Sequence, residues 1–561
     1  MTMIIDLPRW RPCWPLAAVI AIFTIVVIMV NPLREMPIKD DWAYALTVRT
    51  LVQTGEYHLH DWSAPNLIFQ AYYGSLFVRL LGMSFSSLRL STLSLLLVGL
   101  ISFYFLSREF ELSHWQSALL TVLLMASPLV LKFSFSFMTN VPFLSCALLA
   151  LWLYTRALRL RSYPLMILAS AAAAAATLTR QFGMAFVPGL LLVWLCPQDR
   201  RRSLPLISVG LILPVVASIW QLYAGFVTPN WTVLQHRIAE TRFLAQPDLV
   251  PELLWRLATT LIYLALFGLP LLIPAFAEYA NELRASRGMP VTPRIRLNLI
   301  LMLVPTLFIL GMLTYGTFVM GKIGVMPILP WNFTVFSDYW PRPLAALLTL
   351  VMIIGGVLLA RLFALRYFAV TGVQTIPPSH LLLDFVTLGF LALHVVFLFF
   401  RDEYLITLLP FTLIVLGRAL QPWLERLRVP LIAASLVFLI VSTLWVREYI
   451  EEKEAEWQAA QSLVDAGIDP FQIDVSWEWT SYHGGFDAYL KEINYQQPAG
   501  DELLSDYFDR WIAQRLAHAP YLVGALAEPP NNPQFEIVRT VPYQDVLLRP
   551  RYVYILKHAS P

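Results

Sequence analysis

Long apolar runs, separated by short connections that hold most of the charge, dominate residues 14–446. A membrane-spanning helix needs about 20 apolar residues, and on that measure roughly thirteen runs qualify. They lie near 14–31, 88–106, 115–131, 141–156, 163–179, 182–196, 204–223, 254–276, 297–318, 343–362, 380–400, 403–420 and 429–446. A further apolar stretch, 66–82, is interrupted by Gln70 and Arg79 and reads as an interfacial or short re-entrant helix. The pattern predicts an all-α polytopic membrane protein of about 11–13 transmembrane helices. The first outer loop, 32–87, is long enough to carry structure of its own, and its Ala43–Gln53 piece is amphipathic enough to lie on a membrane surface. Alanines 171–176 place small residues where helices can pack closely in lipid. After residue 446 the runs stop. The segment Arg447–Ala466 has helical periodicity with acidic faces, and 471–479, 535–541 and 551–557 alternate as strands do. Two domains are therefore expected, a membrane domain over 1–446 and a small α/β domain over 447–561.

Composition agrees: 58% of residues are hydrophobic and only 14% charged, with a mean hydropathy of +0.63. The first run is longer than a signal-peptide core and reads as an uncleaved anchor. A net charge of +3, spread over the connections, gives no nucleic-acid footprint. Cys13, Cys146 and Cys196 form no disulfide framework and no metal spacing. No Walker, Rossmann or His-Glu-x-x-His motif occurs, which argues against nucleotide-driven transport.

Basic residues set the orientation. Arg9 and Arg11, and the clusters at 156–161, 200–202, 284–296, 361–366 and 418–428, fall on one side. The opposite turns hold single basic residues, Lys132, Arg180 and Arg401. The N-terminus is expected in the cytoplasm. Asp40, Asp41, Asn140, Arg180, Lys322, Asp338, the Arg401–Glu403 cluster and the tail are then expected outside.

That outer level gathers the candidate chemistry. Asp40 is a candidate general base at the membrane surface, with Asp41 beside it to raise a pKa or to help hold a divalent metal. Arg180 and Arg401 are candidate phosphate ligands, because a guanidinium binds phosphate oxygens bidentately. Each also reads as an ordinary boundary charge, and Asp40-Asp41 as a helix start. His58, His60 and Asp61 are weak metal candidates without a third ligand at zinc spacing. The aromatic loop 319–342, with Lys322, fits either an interfacial belt or a contact to lipid or sugar. Trp477-Glu478-Trp479 and Tyr482-His483 fit an acceptor surface or a turn with core tryptophans.

Several motifs carry a family resemblance. Asp40-Asp41-x-x-Tyr44 resembles the Asp-Glu-x-x-Tyr start of the first outer loop in GT-C glycosyltransferases of the protein-O-mannosyltransferase and aminoarabinose-transferase type, glycosyltransferase family 39. Phe137–Phe143 resembles that family's Phe-Met-Thr-Asp-Val-Pro-Phe, and Leu178–Gln181 its Leu-Thr-Arg-Gln. Tyr404–Pro410 resembles its Arg-Tyr…Pro element, and Gly467–Pro470 with Trp477–Trp479 the tail of bacterial members. Three positions depart from the pattern: Asp41 stands for Glu, Asn140 for Asp, and Arg401 lies three residues before Tyr404. The resemblance implies a GT-C-like fold in a bacterial inner membrane. It implies inverting transfer of a sugar from a polyprenyl-phosphate donor to a glycan, lipid or protein acceptor. Asp40 would be the base, assisted by Asp41, and Arg180 and Arg401 would hold the phosphate. Tyr44, Asn140, Gln181, Lys322 and Tyr404 would line the substrate, with a divalent metal as the one cofactor allowed. Two other classes remain at this point, a lipid or sugar transporter and a non-catalytic assembly partner, the latter favoured by Asn140.

Overall fold

A computed structural model describes residues 14–63, 66–196, 200–227, 231–286, 293–318, 342–368, 377–397, 400–495, 504–517, 519–526 and 534–558. Among these, seven helices are long and apolar enough to cross a membrane. The pair His114–Ala126 and Pro128–Ser134, bent by 66°, adds an eighth. Five shorter apolar helices, Trp14–Val30, Tyr163–Thr179, Gln181–Leu195, Leu299–Thr314 and Leu409–Ala419, account for the remaining runs. The bend at Ser127 follows from Pro128, whose ring drives the preceding residue out of the helical region, here to φ −56° and ψ 123°. The run at 254–276 is not one helix. It breaks at Gly268, ahead of Pro270, into Leu249–Phe267 and Leu269–Ser286. The alanine-rich helix behaves as its composition suggests: Ala169, Ala172, Ala173 and Ala176 are buried between neighbouring helices.

The first outer loop folds into two helices, Asp41–Thr54 and Ile68–Leu81. The first does not lie on a membrane surface. Trp42, Ala43, Tyr44, Ala45, Val48 and Leu51 are all buried. The C-terminal domain roofs them, since Trp42 lies edge-on to Trp477 with ring centroids 6.2 Å apart. An amphipathic helix finds protein here where periodicity alone allows lipid. The loop is tied at its base by ions. Glu35 accepts hydrogen bonds from the N–H groups of Phe85 and Ser86 at 2.9 and 3.1 Å, satisfying the start of the Phe85–Glu109 helix. Arg89, fully buried, donates to the carbonyls of Arg34 and Met36. Arg34 in turn pairs with Glu451, at 3.2 Å, and with Glu454.

Those glutamates sit on the Arg428–Asp465 helix, 38 residues long. At 1.5 Å rise per residue it extends about 57 Å, more than a bilayer core requires. The boundary expected after residue 446 therefore falls inside a continuous helix, and the tail domain is joined rigidly to the membrane domain. The domain's sheet has the order β1 (Ile473–Asp474), β2 (Tyr521–Ala525), β4 (Pro550–His558), β3 (Phe535–Gln544). The β1–β2 pair is parallel and the others antiparallel. The strand expected at 471–479 shrinks to β1, because Ser476 caps a helix, Trp477–Tyr482, through the N–H of Trp479. β2 had no alternation long enough to reveal it. Trp479 is a core residue, wholly buried with Ala459, Ala460, Ile473 and Val523, while Trp477 faces the loop.

Replacing Arg89 with Met removes a buried cation that holds two carbonyls. It is expected to cost about 2–4 kcal/mol, read as a fall of several degrees in the thermal midpoint of the detergent-purified protein.

Candidate functional site

Lys39 adopts a left-handed backbone, φ 54°, and turns the chain into the Asp41–Thr54 helix. The turn sends the two adjacent carboxylates in different directions. Asp41 points inward and is 0% exposed. It accepts the N–H of Ile38 at 2.6 Å and the N–H of Phe137 at 3.2 Å. Burial pushes its carboxyl up to about 7, against the pull of Arg89 and of the two backbone bonds. Asp41 is therefore a fastener between the first loop and the 135–139 turn.

Asp40 is half-buried and makes no capping hydrogen bond, so it does not serve the helix start. Its Oδ1 accepts the indole N–H of Trp62 at 2.8 Å. Burial raises its carboxyl above the ordinary range, and the like charge of Glu403 adds to this. The Trp62 bond, Arg401 and Lys39 act the other way. The second carboxylate near Asp40 is thus Glu403, from a distant turn, and not Asp41.

Glu403 is the hub that sequence reasoning missed. It lies in the short Asp402–Thr407 helix, 4% exposed. Its carboxylate is 3.5 Å from Lys39 Nζ and 3.8 Å from Arg180. Asn140, the first residue of the Asn140–Leu160 helix, donates to the Glu403 carbonyl at 3.4 Å. Burial works against ionisation of Glu403, but Lys39, Arg401 and Arg180 outweigh it and hold the carboxyl below its usual value. Arg180 also lies over the ring of Tyr404 at 4.7 Å. A narrow recess, of about 10 Å³, lies here, lined by Asn140, Phe143, Arg180, Phe182, Glu403 and Tyr404, among others. Tyr44 is buried within electrostatic reach of Asp40, Arg180, Glu403 and Tyr404. The structure thus brings together Asp40, Tyr44, Asn140, Arg180, Arg401 and Tyr404.

Three further groups join them. Asp402 titrates near about 6, raised by burial and by Glu403. Lys132, 1% exposed, sets its ammonium over the Tyr449 ring at 4.1 Å, within the field of Lys39, Asp402 and Glu403. His236, on the Trp231–Leu244 helix, is pushed down to about 4 by burial and by Arg401. Nothing in the local pattern around His236 marks it, whereas Glu403 belonged to a visibly overcharged turn.

The metal candidates do not converge. His58 is exposed. His60 accepts the Trp62 N–H at 3.2 Å and faces Asp487 at 3.7 Å. Asp61 accepts the N–H of Trp231 at 3.5 Å. His60 and Asp61 thus hold the loop to its neighbours, and among the described residues no three His, Cys, Asp or Glu side chains gather as metal ligands. Around the recess Glu403 already faces two cations, so the donor set does not fit a metal either. Gln181 opens the Gln181–Ala185 turn of helix beside Arg180. Lys322 and the aromatic loop around it lie outside the described residues.

Asp41→Asn sets an amide nitrogen against a backbone N–H and is expected to cost about 1–3 kcal/mol. The thermal midpoint is expected to drop in Asp41→Asn and to hold in Asp40→Asn, whose oxygen still accepts from Trp62.

Residues 65–220 match the family model of the dolichyl-phosphate-mannose-protein mannosyltransferases. No curated protein matches the chain by sequence. Among solved structures, it is similar to ArnT from Cupriavidus metallidurans bound to undecaprenyl phosphate, at 14% identity and a TM-score of 0.37, over 98% of this chain and 99% of that one. It is also similar to the archaeal oligosaccharyltransferase AglB from Archaeoglobus fulgidus, in complex with an inhibitory peptide and a dolichol-phosphate. That match has 12% identity and a TM-score of 0.45, over 91% of this chain and 69% of that one. The matched segment contains the motifs at 137–143 and 178–181, so the resemblance read from them is borne out: over 65–220 the chain is similar to the membrane mannosyltransferase family whose motifs it carries.

Proposed function

We propose that the protein is an integral-membrane glycosyltransferase that moves a sugar from a polyprenyl-phosphate donor to an acceptor hydroxyl, with inversion, on the extracytoplasmic side. The observation that carries this reading is one half-buried carboxylate, Asp40, at the same place as two arginines, Arg180 and Arg401, which meet there with Lys39 and Glu403. Guanidinium groups at a poorly solvated site suit a phosphate. The family matched over 65–220 is named for a lipid-phosphate sugar.

In this reading the donor phosphate lies against Arg180 and Arg401, with Lys39 behind them. Asp40 takes the proton of the acceptor hydroxyl as its oxygen attacks the anomeric carbon from the face opposite the phosphate. The bond from that carbon to the phosphate oxygen breaks, and its electron pair leaves with the polyprenyl phosphate. The departing phosphate gains one negative charge, and the arginines stabilise it in the transition state more than in the ground state. Tyr44 and Tyr404 supply hydroxyls at the same level, and Asn140 holds the Glu403 turn in place. Burial raises the Asp40 carboxyl, which strengthens it as a base when ionised. Because no metal set fits, the charge compensation falls to Lys39, Arg180 and Arg401. The bias of basic residues to the opposite connections supports an outer location for this site, where a lipid-linked donor needs no nucleotide.

The test is to purify wild type and Asp40→Asn in mild detergent, identify bound lipid by mass spectrometry, and assay transfer with membrane extracts. Asp40→Asn is expected to retain a polyprenyl-phosphate sugar while transfer falls by about 10²-fold or more. Arg180→Ala is expected to lose the bound lipid and to lower transfer by about 10- to 10²-fold. Transfer that survives Asp40→Asn, or bulk phospholipid alone in both preparations, would count against the reading. The sign of the pH dependence follows from the raised carboxyl: the base works only when ionised. The rate is expected to fall as pH drops through a value above the ordinary carboxylate pKa of about 4.

A further inference from the structure

A second concavity, of about 470 Å³, opens in the C-terminal domain between the Leu504–Leu516 helix and the sheet. Its polar lining is Asp474 from β1, Asp509 from the helix and His558 from β4. Its aromatic lining is Trp477 and Phe535, and its floor includes small alanines at 513, 517 and 519. The Phe535 and His558 rings lie 4.5 Å apart at one end. Among the described residues no Lys or Arg lines the groove, so its lining offers a phosphate or other anion no cationic side chain of that kind. Carboxylates that accept from hydroxyls, with Trp and Phe faces that stack on apolar C–H surfaces, suit a sugar. The volume matches that of small-ligand sites. Trp477 also connects the groove to the base. Its ring lies 5.3 Å from that of Trp62, and Trp62 donates to Asp40 at 2.8 Å.

We propose that this groove binds an uncharged, hydroxyl-rich carbohydrate unit of the acceptor, an assignment that rests on the transferase reading for what happens next. The acceptor unit would then sit beside the Trp477–Trp62 contact that leads to Asp40. A glycan seated against Trp477 runs along the same aromatic surface that orients Asp40. The small side chain of Ala513, exposed in the groove, leaves the space a sugar ring needs.

The full chain in detergent would be examined by saturation-transfer NMR with three probes: maltotriose, triacetylchitotriose and, as the anionic comparison, mannose 6-phosphate. At least one neutral trisaccharide is expected to show transfer that drops by about fivefold or more in Ala513→Trp, which fills the groove. Mannose 6-phosphate is expected to show none. Asp509→Asn keeps the side-chain shape and is expected to weaken the same signal, so the test survives if the Trp variant misfolds. No signal from either neutral sugar, a signal untouched by both variants, or preference for mannose 6-phosphate would overturn the proposal. Bound lipid measured on the same samples reads the transferase proposal separately. Groove binding without any polyprenyl lipid in wild type would sink that proposal and leave the carbohydrate site standing, whereas retained lipid without sugar binding would do the reverse.

Discussion

The buried carboxylate of Asp41 is the constraint on which the site depends. Taken wholly out of water, it is tolerable only while its oxygens accept from Ile38 and Phe137 with Arg89 close by. Those bonds fix the first loop to the 135–139 turn, and so set where the loop's next carboxylate can lie. Asp40 is placed because Asp41 is anchored. The left-handed Lys39 completes the turn, sending its own ammonium toward Glu403 while the two acids diverge.

Charge balance then decides the rest. Glu403 comes from a turn hundreds of residues away, yet it meets Lys39, Arg180 and Asn140 in one place. Each of these charges would be costly alone in a site of low polarity, and together they are kept by mutual attraction. Asp40 lies in the field of the same groups, Arg401, Glu403 and Lys39, and its carboxylate is held by the indole of Trp62.

The tail domain belongs to the same construction. The Arg428–Asp465 helix carries Glu451 and Glu454 to Arg34 at the base of the first loop. The domain's Trp477, Phe486 and Phe508 close around Trp62. The loop is therefore clamped between membrane helices below and the domain above. That is why an amphipathic segment such as Asp41–Thr54 ends up buried on both faces. It also lets Trp477 both line the groove of the tail domain and pack against Trp62.

What the sequence determined by itself is the part governed by local chemistry. Apolar runs of spanning length had to become helices, because a backbone in lipid must satisfy its own hydrogen bonds. Every run did, even where Pro128 bends it or Gly268 and Pro270 divide it. The acidic pair and the arginines were visible because charge is rare in such a chain. Tertiary structure alone decided which charges meet. Asp40 and Asp41 are indistinguishable in sequence and opposite in role, since one turn of backbone sends one inward and one toward the recess. Glu403 and His236 reach the site through packing of distant turns, and His60 and Asp61 are engaged by partners, Asp487 and Trp231, that no spacing reveals. The long helix hides the domain boundary because hydropathy changes at the membrane surface while backbone hydrogen bonding does not.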